Sequence, residues 1–257
     1  MLMDRFGINL YSVRDLIKTE DGLKKTVGAL IDAGYTYFQF SGAEFDADMI
    51  ARVKNDCDAP FVLTHVSLDR IVNDTDALMR DHEKFGCVNI GLGSMPQKVL
   101  SDKDELKKTL EELERAGKKM KENGFKLFYH NHHMEFYKYD GKTIFDYMIE
   151  NTPDINFTLD TYWVQYGGAD VLSLLDKLDG RIDCVHLKDY KIRINDSGKF
   201  EPAFAPIGEG NMDFHAIIEK MKTRGVKYFL VEQDNAVEFP DPVREVAKSA
   251  AYIKNNI

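Results

Sequence analysis

The stretch DKDELKKTLEELERAGKKMKENGFKLFYHNH, from Asp102 to His132, carries two periods in succession. Leu106, Leu110, Leu113, Ala116 and Met120 recur every three to four positions, while Lys107, Lys108, Glu111, Glu112 and Lys118 fall mostly between them, the pattern of a helix with one apolar face. Asp102 stands where a capping side chain belongs, ahead of an acidic first turn, and Asn123-Gly124 supplies a left-handed stop. Phe125 to His132 then changes to a short apolar and aromatic run, the composition of a strand. Helix, stop and strand in this order form one unit of an alternating α/β chain.

The same alternation extends in both directions. Strands are predicted at Phe6 to Val13, Tyr35 to Ser41, Phe61 to Ser67, Val88 to Leu92, Phe125 to His132, Ile155 to Tyr162, Ile182 to Lys188 and Tyr228 to Gln233, each followed by an amphipathic stretch. Gly34, Gly86 and Gly225 close three of the helices as Gly124 closes its own. Parallel strands need long crossovers, which helices provide, so eight such pairs in 257 residues predict a (β/α)8 TIM barrel as a single domain over residues 1–257. A doubly wound open sheet is the rival, but neither GxGxxG nor GxxxxGK[ST] follows any strand. Gly91/Gly93 and Gly208/Gly210 read as turns, and the longest irregular piece is Asp189 to Asn211, after the seventh strand.

A hydrophobic content of 44% with 30% charged residues is the balance of a folded, soluble chain. With 34 basic and 43 acidic residues the formal charge is -9, which opposes a nucleic-acid partner. No window is apolar enough for a membrane span or a secretion signal, so neither a membrane partner nor export is expected and a cytoplasmic location is. Cys57, Cys87 and Cys184 are far apart and read as buried small hydrophobes, not as a disulfide or zinc site.

In a barrel the carboxyl ends of all strands open into one mouth. The polar residues predicted there are Asn9, Gln39, His65, the run His130-Asn131-His132-His133, Asp160, His186 with Lys188, and Glu232. Asp160, His186 and Glu232 each end an apolar run, where an ionised group needs a partner. One divalent ion, manganese, magnesium, cobalt or zinc, would satisfy all three. The competing accounts are that Asp160 caps a helix, His186 is a satisfied core histidine and Glu232 pairs with Lys188. Alternation sends His130 and His132 to one face and Asn131 to the other, without saying which faces inward, and places His133 and Glu135 in the loop. Asn9, His65, His130 and Trp163 are the candidate substrate contacts: imidazoles to meet hydroxyl groups or move protons, and the one tryptophan to stack on a sugar ring. Lys188 could hold an oxyanion or a phosphate.

Tyr129-His-Asn-His, Leu159-Asp-Thr-Tyr-Trp, His186-Leu-Lys-Asp, Pro206-Ile-Gly-Glu-Gly-Asn-Met-Asp-Phe and Val231-Glu-Gln-Asp together resemble the sugar phosphate isomerase/epimerase family, which has the xylose isomerase-like barrel. The resemblance runs from Leu10-Tyr-Ser-Val-Arg to the closing helix. It implies a small carbohydrate substrate and a divalent metal held by Glu, Asp, His and Glu from strands five to eight. Asp160, His186 and Glu232 match the last three positions, and Asn131 stands where many relatives carry glutamate. An amide takes no proton at neutral pH. The implied roles are therefore Asn131, Asp160, His186 and Glu232 as ligands, Glu232 also as base, His132 or His130 as second proton carrier, and Lys188 as a catalytic cation.

The leading expectation is a sugar isomerase or epimerase working through an enediolate beside a carbonyl. The alternative that Asn131 motivates is a dehydratase or lyase on an inosose or 3-oxo-glycoside. A non-catalytic sugar-binding subunit and a DNA-repair endonuclease are readings from other classes, the latter opposed by the net acidity. Gly208-Glu209-Gly210 precedes a helix that could bind an anion, yet Glu209 and Asp213 would repel one, so the substrate is expected to lack phosphate. Pairing into a homo-oligomer stays open, since no exposed apolar stripe marks an interface.

Overall fold

The computed structural model describes residues 5–178 and 180–257. Eight parallel strands close into a ring: β1 (Gly7–Asn9), β2 (Tyr37–Phe40), β3 (Phe61–Val66), β4 (Asn89–Leu92), β5 (Lys126–His130), β6 (Ile155–Asp160), β7 (Cys184–Leu187) and β8 (Tyr228–Val231). Closure is made at Gly7, which pairs with Tyr37 on one side and Leu230 on the other. Helices cover the outside of the ring, so the fold is the (β/α)8 barrel that the alternation predicts.

The helix that opens the sequence argument spans Lys103–Glu122; the Asp102 carboxylate accepts the backbone N–H groups of Asp104 and Glu105, and Gly124 takes a φ of 82° just past its end. Leu106, Leu110, Leu113, Ala116 and Met120 are buried on its inner face. Gly117 lies there too, because a Cβ would stand 3.1 Å from Ile155.

Most strands end earlier than their composition predicts, and at two of them a side chain makes the stop. Asn9 turns its side chain onto the N–H of Tyr11 and starts the 3-10 helix Leu10–Leu16, and Asp160 caps the helix Thr161–Tyr166. In both places a short polar side chain competes for the backbone and wins over the ladder. Most of Asp189 to Asn211 is regular, with only the piece after Ala205 left as loop: Asp189–Ile194 and Phe200–Ala205 form an antiparallel hairpin whose turn is held by the Asn195 side chain and by Gly198 at φ 78°. A smaller hairpin, Lys138–Tyr139 with Lys142–Thr143, turns at Asp140-Gly141. Cys87 and Cys184 are buried as expected, but Cys57, at the end of a surface helix, is only half-buried. Among the described residues no helix is long and apolar enough to cross a membrane.

The larger apolar cluster fills the space between strands and helices. A second cluster includes Tyr37, Leu63, Phe128, Cys184 and Leu230, from five different strands, which meet inside the ring. Residues two apart on a strand share a face. Gln39, His65, His130, His186 and Glu232 therefore form the next layer up, at the mouth.

Candidate metal centre at the barrel mouth

His130 ends β5, Asp160 ends β6, His186 lies on β7 and Glu232 follows β8. All four are buried, and one ligand atom from each lies within 4.8 Å of the others, making the one such group of His, Cys, Asp or Glu found among the described residues. Strand register brings Asp160 directly opposite His186. His186 Nδ1 is 2.7 Å from Glu232 Oε2 and 3.8 Å from Asp160 Oδ2, and His130 Nε2 is 3.4 Å from Asp160 Oδ2.

The remaining ring nitrogens decide what these groups offer. His130 Nδ1 is 2.9 Å from the Gly93 carbonyl and His186 Nε2 is 2.7 Å from the Gln39 side-chain oxygen. A carbonyl oxygen only accepts, so both nitrogens donate and the opposite ones, in neutral imidazoles, present lone pairs to the carboxylates. His186 Nδ1 and Glu232 Oε2 are buried and lack hydrogen-bond geometry despite their proximity. Two facing lone pairs at that distance repel unless a cation lies against both. The donor set, two imidazoles and two carboxylates with oriented outer partners, fits a divalent ion.

Three buried or half-buried carboxylates face one ammonium. Lys188, 1% exposed, places Nζ 3.0 Å from Asp160 Oδ2, 3.2 Å from Glu232 Oε2 and 2.9 Å from Asp234 Oδ1. Before an ion binds, burial would lower His130, but Asp160 outweighs it and raises the ring toward its protonated form. With both imidazoles neutral, as metal ligands must be, the carboxylates exceed the ammonium by two negative charges, which a divalent cation would match. Burial alone would raise Glu232, but Lys188 and His186 outweigh it and hold its carboxyl well below the ordinary range. Asp160 is lowered in the same way, burial being overcome by Lys188 and His130. Burial pushes Asp234 up to about 6 against the pull of Lys188. Lys188 itself is raised, the three carboxylates outweighing its burial.

Residues 27–256 match the family model described as xylose isomerase-like TIM barrel. The chain belongs to that family. It is 29% identical over 170 residues to an inosose dehydratase of Clostridium perfringens, the match covering 61% of this chain and 57% of the relative, so it spans under two thirds of the curated relatives it matches. A sugar phosphate isomerase/epimerase from Parabacteroides distasonis superimposes with a TM-score of 0.79 at 22% identity over 98% of this chain and 94% of that one. A xylose isomerase-like TIM barrel protein from Mycobacterium smegmatis, solved in complex with magnesium, gives 0.70 at 14% identity over 98% and 95%. At these identities the two structures establish the fold.

Within this xylose isomerase-like barrel, strand five presents His130 and not Asn131 to the centre. The Asn131 oxygen instead accepts the backbone N–H of Asp160 at 3.0 Å, which corrects its expected place among the ligands. The reason is parity: His130 shares a face with Phe128 inside the ring, and Asn131 points the other way. Asp160 serves two roles at once, since Oδ1 caps the Trp163 N–H at 2.9 Å while Oδ2 faces the centre. Asn9 donates to Glu232 Oε1 at 3.0 Å and accepts from Ser41 and the Tyr11 N–H, so its side chain orients the carboxylate and is not free to meet a substrate.

Of the other expected residues, His65, His132 and Lys188 line a cavity of about 270 Å³ above the centre, together with Tyr11, Ser41 and Asp234. Among the described residues, His65 Nε2 and His132 Nδ1 have no hydrogen-bond partner. Burial and then the neighbouring His130 push His132 down to about 3, and burial holds His65 well below its ordinary value, so both are neutral. Trp163 sits with its ring 5.3 Å from Lys188 Nζ and 5.3 Å from the His132 ring. Gly91 and Gly93 are not turn glycines. They leave room for His65, to which added Cβ atoms would approach within 2.9 and 2.7 Å.

Three acidic residues went unrecognised in the sequence. Asp234 holds Lys188, as described. Glu135, expected in a loop, is wholly buried in a 3-10 turn, where it accepts from the Tyr129 hydroxyl at 2.5 Å and the His132 N–H at 2.9 Å; its apolar neighbours Met134 and Phe136 are the signal that could have found it. Asp189 accepts the N–H groups of Tyr190, Gly208, Gly210 and Met212 at 2.8 to 3.3 Å. The glycine loop does cradle an anion, and that anion is the protein's own carboxylate.

Proposed function

We propose that the protein is a metal-dependent dehydratase acting on an unphosphorylated ketone-bearing cyclitol or related carbohydrate. The carrying observation is His130 at strand five. Inversion by paired carboxylates needs two free ones on opposite faces of the substrate, whereas here strand five brings an imidazole, and Asp160 and Glu232 each have both oxygens engaged by protein groups. The relatives named inosose dehydratase support the same reading.

His130, Asp160, His186 and Glu232 would hold the ion, and two imidazoles favour manganese, cobalt or zinc over magnesium. When bound, such an ion supplies Lewis acidity toward a carbonyl oxygen, worth several kcal/mol. Glu232, held ionised by Lys188, serves as a ligand, which leaves proton transfer to His132. Its neutral ring removes the hydrogen from the carbon beside the ketone; that electron pair forms the new C=C bond as hydroxide departs from the next carbon. The imidazolium returns the proton to the hydroxide, so one water is released. His65 meets a substrate hydroxyl through its unpaired nitrogen, Trp163 offers a flat wall, and Lys188 can donate to a substrate oxygen.

An isomerase or epimerase is the second reading, favoured by the four-donor group itself, since both chemistries begin by ionising the same C–H bond. Incubation with an inosose and Mn2+ in deuterated water separates them. Loss of water with appearance of an unsaturated ketone, abolished in His132→Gln with Mn2+ binding retained, is expected. Stereochemical interconversion with carbon-bound deuterium and no water loss would transfer the assignment to the second reading.

A further inference from the structure

The two oxygens that face the imidazole lone pairs, Asp160 Oδ2 and Glu232 Oε2, are the same two that hold Lys188 Nζ, at 3.0 and 3.2 Å. A third carboxylate, Asp234, stands outside the four-donor group, holds the ammonium at 2.9 Å and is 23% exposed against 0% and 6% for the other two. The ammonium is flanked by the rings of Trp163 and Phe204, at 5.3 and 5.6 Å, which stabilise a cation without fixing it to one acceptor.

We propose that Lys188 is an internal counter-cation competing with the divalent ion for Asp160 and Glu232, and that Asp234 retains the ammonium when the ion binds. The inference rests on the metal-centred reading above. A carboxylate oxygen shared by an ammonium and a divalent ion places like charges side by side in a buried site, where little solvent screens them. Asp234 gives Lys188 a place to go without losing its charge partner. Lys188 is on this account a positioning residue: it offsets the repulsion between the two carboxylates, and its displacement sets the effective affinity for the ion.

Three measurements on the full chain test this. Mn2+ affinity, read from the electron paramagnetic resonance of the free ion, is expected to tighten by about tenfold or more in Lys188→Met and to weaken by a similar factor in Asp234→Asn. Trp163, the only tryptophan, should change its emission when the wild type is titrated with non-quenching Mg2+, because the cation beside its ring moves. That change should be lost in Lys188→Met. Equal or weaker Mn2+ binding by Lys188→Met, or an emission change the same as in wild type, overturns the proposal. If Lys188→Met does not fold, Asp234→Asn decides, and unchanged or tighter binding there overturns it. A wild type that binds neither ion overturns this proposal together with the metal-centred reading, whereas wild-type binding with no response to either substitution overturns this one alone.

Discussion

A Cβ on Gly93 would stand 2.7 Å from His65 Nδ1, so the residue just past β4 is small because an imidazole from β3 fills the space. The backbone at Gly93 is outside the left-handed region, and alanine carries no conformational cost there. Gly93→Ala should therefore destabilise only through the ring, by about 1 to 3 kcal/mol. In a His65→Ala background the same change should cost much less. A double-mutant cycle in urea reads the coupling, and equal costs in the two backgrounds would contradict the packing described.

Gln39→Leu removes the acceptor that orients His186. The Nε2 hydrogen is then buried without a partner, and the ring loses the bond that aims Nδ1 at the centre. Mn2+ affinity should fall about 10- to 100-fold while the fold persists. Titration calorimetry checks it; unaltered affinity would mean the Gln39 contact does not position the ligand.

Asp160→Asn and Asp160→Ala should separate the two roles of one carboxylate. Asparagine keeps an oxygen for the Trp163 N–H and so keeps the helix cap, but loses the charge. Alanine loses both and should be about 1 kcal/mol less stable than asparagine. Both should bind Mn2+ far more weakly than wild type. Thermal melts of the two variants side by side supply the comparison.

His82 gives the fold an acid limit away from the centre. Its ring is buried between Thr64 Oγ1 and the Leu78 carbonyl and stacks on Phe45, and burial pushes it down to about 4 from an ordinary 6.5. The unfolded chain thus binds a proton that the folded one refuses between those values. The contribution is present above pH 6.5 and is lost as pH falls through 4, about 3 kcal/mol in all. His82→Gln should flatten the dependence of unfolding free energy on pH across this window. An unchanged slope would assign the acid limit to other groups.

The alternation that predicts the barrel is visible because each period is a local property of ten or twenty residues. Asp160, His186 and Glu232 stand out for the same reason, each ending an apolar run. His130 needed one further step: it shares parity with Phe128, as His186 does with Cys184 and Glu232 with Leu230, so the inward face could have been read from the apolar residue two positions earlier. Lys188 offered no such signal. Its burial depends on Asp160 and Asp234, 28 and 46 positions away along the chain, which only the closed ring brings together. The Asp189–Ala205 hairpin escaped because its outer half is solvated, with Ile192 54% and Phe200 76% exposed, so alternation does not separate a wet from a dry face.

Lys188 and Asp189 are consecutive, and they answer to opposite charges: one to the carboxylates of the centre, the other to the amides of the Pro206–Met212 loop. Anchorage on both sides of a single peptide unit makes the base of the long arm rigid while its tip, Asn195 to Lys199, touches neither. Sequence divergence at the tip can then proceed without disturbing the chemistry below, whereas a side chain at Gly210 would drive into Asp189 and unseat the neighbouring lysine with it.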